Sequence, residues 1–328
     1  MSDLPPIVSV IMPCFNQGQF IEEAVESVIA QTFTPVEIII INDGSTDIET
    51  VRLLKHYQKP NVSVIHTDNQ GPSAARNLGI QQAKGRYILP VDADDRIGPT
   101  YLEKAVPILE SQPEVGIVYA QAELFGAKTG SFDLPPYQFP DILLGNMIFN
   151  SSLYRKADWE RAGGYNENMV WGWEDYDFWL AILELGRDVF YIPEVLYFHR
   201  EVENSRSQQM TQEHWVKSYT QIFQNHPQLY FNHIGTLFKQ LVELRGEVHG
   251  VHSQLHEAHS QLHEAHSQLH EVHSQLHEAH NEVHQVHSRL HTIVTTVQTS
   301  KAWKVRKRWL KLKQQLGIKV DAGDALIS

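Results

Sequence analysis

Three carboxylates fall within four residues at the end of Gly85-Arg-Tyr-Ile-Leu-Pro-Val-Asp-Ala-Asp-Asp95, where Asp92, Asp94 and Asp95 follow the apolar run Tyr87–Val91. Carboxylates packed this closely repel one another and need solvent or a cation among them. A Mg²⁺ or Mn²⁺ ion shared between one or two carboxylates and the phosphates of a nucleotide is the usual arrangement. An acidic turn ahead of Gly98-Pro99 is the competing reading, and an isolated Asp-x-Asp would favour it. Other segments shift the balance. Ile39–Asp47 runs an apolar strand into Asp43, and Gly44 permits a tight turn behind it. A carboxylate there can accept an N–H from uracil or guanine. Gly71–Gly79 carries Arg76, a partner for phosphate. Trp171–Trp179 places Glu174 and Asp175 at the start of an apolar helix running to Leu185. Acidic residues there suit the helix dipole, or can take a proton.

These groups need a scaffold that brings strand ends together. Ile7–Met12, Val36–Ile41, Val62–Ile65, Tyr87–Val91 and Val115–Tyr119 have strand length and β-branched content. Phe20, Ala24, Val25, Val28 and Ile29 form one helical stripe, and Ala74, Leu78 and Ile80 suggest another. Such alternation predicts an α/β fold with a mixed, mostly parallel sheet flanked by helices over residues 1–230. Ligands of such sheets bind beyond the carboxyl ends of the strands. Polar residues that follow each strand are therefore the candidates.

In this order, Val8–Asn16, Ile39–Asp47, Gly71–Gly79, the Asp92–Asp95 segment and the Glu174-Asp175 pair resemble the family 2 glycosyltransferases, inverting enzymes of the GT-A fold. The resemblance covers about residues 7 to 205. It implies a nucleotide pocket at Pro13 and Asn16, with Asp43 on the base (UDP-sugars favoured), Asp92 near the ribose and Arg76 in the nucleotide-sugar site. Asp94 would hold Mn²⁺ or Mg²⁺. Asp175 would be the general base, with Glu174 as the second candidate. The segment Val195–Ser207 departs from the family pattern. Aligned through Arg200 and Ser205, the family's metal-binding His position holds Val202, and His199 lies three residues earlier as a substitute ligand. Arg200 and Arg206 are alternative sources of positive charge for the diphosphate. Cys14 reads as packing. Trp171, Trp173 and Trp179 could stack on sugar rings, with at least one of them in the core.

The remainder changes character. From Ile234 to Val297 apolar residues recur at alternating spacings of 3 and 4, the pattern of a left-handed coiled coil, here residues 231–299. Its exposed seam implies a homo-oligomer. Of 19 histidines, 13 lie between His249 and His291. Pairs such as His252/His256 could bind Zn²⁺ or Ni²⁺, but expansion of one heptad block is the preferred reading, since no carboxylate or Cys completes a site. Residues 300–328 open with a basic amphipathic stretch. Seven of the 27 Lys and Arg residues lie between Lys301 and Lys313, interleaved with Trp303 and Trp309. It suits an anionic membrane surface or a simple helical extension.

Composition sets the outer limits. The chain has 328 residues, a net charge of −12 and one cysteine, which excludes an internal disulfide framework and argues against general nucleic-acid binding. No apolar run is long enough to span a bilayer, and the opening residues lack the regions of a secretory signal. The expectation is a cytoplasmic enzyme, peripheral on the inner face of the cell membrane, acting in cell-surface polysaccharide or glycoconjugate synthesis. Its partners would be a nucleotide-sugar donor and a glycan or lipid-linked glycan acceptor. The rival is a non-catalytic scaffold that displays a decayed nucleotide-sugar-binding domain on a helical rod.

Overall fold

The computed structural model describes residues 5–202 and 209–316. The first elements alternate: β1 (Val8–Cys14), α1 (Gly18–Ile29), β2 (Val36–Asp43), α2 (Ile48–Lys55), β3 (Val62–Thr67), α3 (Pro72–Gln82) and β4 (Tyr87–Pro90). The second half is less regular: β5 (Arg96–Ile97), α4 (Tyr101–Ser111), β6 (Val115–Gly126), β7 (Gly130–Phe132), β8 (Leu153–Arg155), α5 (Lys156–Ala162), α6 (Glu174–Glu184) and β9 (Asp188–Glu201). Three helices follow: α7 (Gln212–Asn225), α8 (Pro227–Thr299) and α9 (Lys301–Gln315). The sheet order is β3-β2-β1-β4-β8-β6-β9-β5, with β7 pairing β6. The first four strands in that order are parallel, β8 is antiparallel to both neighbours, and β6 and β9 are parallel. The result is the expected mixed, mostly parallel α/β sheet.

Both faces of the sheet are buried, so β1 and β2 read as apolar runs without polar alternation. Ile11, Ile39 and Ile41 join α3 and α6 on one face, while Val10, Met12, Ile38 and Ile40 join α1 and α4 on the other. Helix α3 lies very close to the sheet. A Cβ on Gly79 would sit 2.6 Å from Ile41 Cδ1 and 2.9 Å from Ile11 Cγ2, so any larger residue would push these packed isoleucines aside where α3 carries Arg76 toward the strand ends.

The compact unit runs to Leu241, past residue 230 where the sequence reading placed a boundary. The reason is packing within α8: Leu229, Tyr230 and Leu237 are buried, and the Tyr230 hydroxyl donates to the Leu143 carbonyl at 3.0 Å. His226, just before α8, is buried between two carboxylates of α6, with Nε2 3.2 Å from Asp177 Oδ1 and Nδ1 2.9 Å from Glu184 Oε2. Burial disfavours its charged form, but Asp177 and Glu184 outweigh this and raise its pKa. A raised folded-state pKa stabilises fully below the unfolded value, about 6.5, and the gain is lost as pH rises through the folded value. His226→Ala should therefore cost about 1–3 kcal/mol at pH 6 and less at pH 9. Urea unfolding at both pH values checks this, and an equal cost at both would remove the charged His226 from the account.

The second unit begins at Val242. It contains the rest of α8 and α9, separated at Ser300, whose extended backbone stops one helix while its Oγ accepts the Trp303 N–H at 3.1 Å to start the next. Leu255, Leu262, Leu269, Leu276 and Leu290 of the heptad seam are all exposed in the single chain. No helix among the described residues is long and apolar enough to cross a membrane.

Candidate active site

The parallel strands β1, β2 and β4 lie side by side, so the residues after their carboxyl ends share one edge of the sheet. Asn16 follows β1 in the left-handed region at φ 56°. Its Oδ1 accepts the backbone N–H groups of Thr46 and Asp47 at 2.7 and 2.8 Å, and its Nδ2 donates to Thr46 Oγ1 at 3.1 Å. The side chain thus shapes the loop after β2. Pro13 is half-buried in β1 opposite Ile41 of β2. Asp43 is buried and accepts the N–H groups of Gln70 at 2.9 Å and Gly71 at 3.0 Å, one on each oxygen. It thereby fixes the loop that leads into α3. Burial pushes the neighbouring Cys14 thiol up to about 11, so Cys14 is no nucleophile.

The acidic segment after β4 divides its labour. Asp95 is fully buried: Oδ2 accepts from the Tyr197 hydroxyl at 2.5 Å and lies 3.3 Å from His199 Nδ1, while Oδ1 accepts the Arg200 N–H at 2.8 Å. Arg200 Nε donates to the Asp94 carbonyl at 2.8 Å, and its guanidinium pairs with Glu23. Strand β9 is thereby clamped onto the Asp94-Asp95 turn. The Asp94 carboxylate accepts no hydrogen bond from another described residue. Burial, with Asp95 and Asp92 beside it, raises its pKa to about 7.

In the second half of the chain, Trp173 at φ 66° turns the backbone into α6 and puts Glu174 and Asp175 in the first turn. Buried Arg76 joins the two sides. Its Nη2 donates to Asp92 Oδ1 and its Nη1 to Glu174 Oε1, each at 2.8 Å, and its Nε is buried without a partner among the described residues. Burial works against the guanidinium charge, but Asp92 and Glu174 hold its pKa well above normal. Half-buried Asp175 accepts from Asn146 Nδ2 at 3.1 Å. Burial, then the charge of Glu174, raises its pKa to about 6. A carboxylate so placed is a stronger base than a solvated one.

Arg76 therefore brings Asp92, Glu174 and, next to it, Asp175 into one cleft. Of the tryptophans, Trp179 is fully buried, Trp173 packs among Tyr176, Trp215 and Tyr219, and Trp171 stacks on His214 at 4.6 Å. Asn146, Tyr197 and the buried role of Asp95 escaped the sequence reading, because no local pattern marks a partner that lies far along the chain. Val202 is described, but Ser205 and Arg206 lie outside the described residues.

Among the described residues no three His, Cys, Asp or Glu side chains converge as a ready-made metal site. The donor set still suits a hard divalent cation completed by substrate oxygens and water: the Asp94 carboxylate accepts no hydrogen bond from another described residue, and Asp92 has one oxygen beyond the one that meets Arg76. Protein ligands alone would not complete it. His199 has Nδ1 turned to Asp95, so only Nε2 is left to face a metal. Despite burial the three carboxylates raise its pKa to about 9, so it would have to lose a proton before it could serve as a ligand.

Residues 9–162 match the model of the family described as "Glycosyl transferase family 2". An uncharacterized glycosyltransferase of Haemophilus influenzae is 33% identical over 221 residues, covering 62% of this chain and 68% of that protein. The matched stretch spans between 23% and 68% of the length of the first three curated relatives. Among solved structures, Staphylococcus aureus TarS 1–349 in complex with UDP-GlcNAc aligns with TM-score 0.53 and 21% identity, covering 62% of this chain and 61% of that one. The mannosyltransferase PcManGT of Pyrobaculum calidifontis, in complex with GDP-Man and Mn²⁺, aligns with TM-score 0.50 and 21% identity over 70% of both chains. At such identity these two establish the fold.

Proposed function

The chain belongs to glycosyl transferase family 2, and from that premise we propose that it moves a sugar from a nucleotide-sugar, with UDP-sugars favoured, to the hydroxyl of a glycan or lipid-linked glycan, inverting the anomeric centre. The observation that carries the reading is the Arg76 bridge, which sets Asp92 of the donor edge against Glu174 beside the candidate base. In the proposed step the acceptor oxygen bonds to the anomeric carbon as the bond to the diphosphate oxygen breaks. The electron pair leaves with the nucleoside diphosphate, and the hydroxyl proton passes to Asp175. Asp43 would receive the base, with Pro13 at the pocket's floor and Asn16 holding its loop. Asp94 would hold Mn²⁺ or Mg²⁺, with His199 Nε2 as the second candidate. The bound metal would neutralise charge on the departing diphosphate.

Thermal unfolding of the full chain with UDP, GDP, dTDP and CDP, each with and without Mn²⁺, tests the donor site without any acceptor. A ligand at 100 times its dissociation constant stabilises by about 2.7 kcal/mol. The expected result is a metal-dependent shift with UDP that Asp94→Asn abolishes. No shift with any nucleotide would favour the scaffold reading.

The exposed seam of α8 supports a homo-oligomer through the coiled coil, and the seven cations around α9 support contact with an anionic membrane surface, at the cytoplasmic face. Sedimentation of the full chain should give a multimer that Leu269→Lys with Leu276→Lys reduces to monomer. An unchanged mass in the double variant would exclude the seam as the interface.

A further inference from the structure

A cavity of about 280 Å³ lies among β6, β7, β9 and the segment 133–137, outside every role assigned above. Its walls are aromatic. Tyr119 and Tyr191 face each other at 5.0 Å between ring centroids, Phe132 and Phe149 at 5.1 Å, and Tyr137 closes one side. Besides the tyrosine hydroxyls, the polar side chains of the lining are half-buried Gln121 and Asp133, exposed at the rim, and neither has a hydrogen-bond partner among the described residues. Bulges in the β6–β9 pairing fall on either side of Gln121 and break the sheet's regularity at that wall.

Size and chemistry select the occupant. Small-molecule pockets run from about 300 to 1,000 Å³, so this cavity has room for about one ring and not for a whole nucleotide. A wholly apolar ring would leave the half-buried Gln121 amide without a partner, which is costly at a desolvated contact, and would make no use of the exposed Asp133 carboxylate at the rim. A phosphate or uronate would meet the negative charge of Asp133. A neutral pyranose satisfies both demands, with flat C–H faces for the tyrosine and phenylalanine rings and a rim of hydroxyls for the carboxamide and carboxylate.

The cavity's aromatic walls pack against residues of the candidate site. Phe132 stacks on His199 at 5.0 Å, and Phe149 packs on Tyr197 at 5.7 Å, the two residues that hold Asp95. Phe149 also closes the short segment that starts at Asn146, the partner of Asp175. We propose that this cavity is a subsite for a neutral pyranose of the acceptor glycan, one ring beyond the sugar that carries the reacting hydroxyl. The assignment rests on the transferase reading of the neighbouring cleft.

Saturation-transfer NMR on the full chain, with methyl glycosides of glucose, galactose, N-acetylglucosamine and rhamnose as probes, tests it directly. At least one glycoside should show transfer, reduced fivefold or more in both Gln121→Ala and Tyr191→Ala. Both side chains reach solvent or the cavity, and unchanged thermal midpoints would confirm folding. Nucleotide binding is followed on the same samples by thermal unfolding. A chain that binds nucleotide but shows no glycoside signal, or a signal indifferent to both variants, overturns the subsite alone. A signal displaced by UDP-GlcNAc but not by UDP assigns the cavity to the donor's sugar and overturns the acceptor assignment. A wild-type chain that binds no nucleotide fails the transferase reading and the acceptor role with it.

Discussion

Asp175→Asn is expected to lower kcat by about 10² to 10⁴-fold, the range for removing a general base, while nucleotide binding stays intact. The asparagine keeps the shape of the side chain and an oxygen for Asn146 Nδ2, now 3.1 Å from Asp175 Oδ2, but it cannot take the acceptor proton. The pH profile carries a second signature. Burial and the adjacent Glu174 raise the Asp175 pKa to about 6, and only the ionised form accepts a proton. The rate should therefore be level above about pH 7 and fall toward tenfold per unit below pH 6. Asn146→Ala removes a donor to the charged form, so the falling limb should move to higher pH. Glu174→Gln provides the contrast. Glu174 is buried against Arg76, so its loss should lower stability along with activity. Steady-state kinetics from pH 5 to 9 on the three variants decide the matter. Wild-type-like kcat in Asp175→Asn would transfer the base role elsewhere, and a flat profile would remove Asp175 from the rate-limiting step.

How far the sequence could be read depended on how local each signal was. β1 to β4 are short apolar runs between turn residues, and α1 and α3 show a helical period, so those elements were legible; their buried faces were less so, since Ile29 is exposed and α3 buries Ala75, Arg76 and Gly79 rather than Ala74 and Leu78. The placement of Asp92, Asp94 and Asp175 was legible too, because each sits just after a strand or at the start of a helix. Partners were not legible. Asp92 meets Arg76 from 16 residues away, and Glu174 meets it from 98 away. The motif suggested a phosphate for Arg76, but could not show that each Nη also donates to a carboxylate. Asn16 and Asp43 similarly hold loops about 30 residues along the chain, which a motif read as ligand contacts cannot reveal. Asp95, two residues beyond Ala93 in an exposed-looking acidic run, is fully buried only because β9 returns with Tyr197, His199 and Arg200. The heptad seam of α8 was legible as a period, but a period names no partner.

Arg76→Ala should destabilise the fold by about 3–5 kcal/mol, the cost of removing one partner from a buried ion pair. Folded domains have only about 5–15 kcal/mol in hand, so the variant should be marginal at best. The Arg76 and Glu174 side chains retain 4% and 11% of their exposure, which leaves water little room to replace the lost guanidinium. Asp92, at 32%, suffers less and can turn to solvent. Arg76→Lys tests the geometry separately from the charge. An ammonium is compact and lacks the planar fork that reaches Asp92 and Glu174 at once, so it should recover only part of the loss. Adding Glu174→Gln to Arg76→Ala should cost less than the sum of the single changes, since the neutral amide no longer needs a counter-charge. Urea unfolding of the four proteins gives the cycle. If Arg76 instead serves a phosphate, Arg76→Ala will unfold within about 1 kcal/mol of the wild type and lose nucleotide affinity, and the bridge between the two halves of the cleft will have been misassigned.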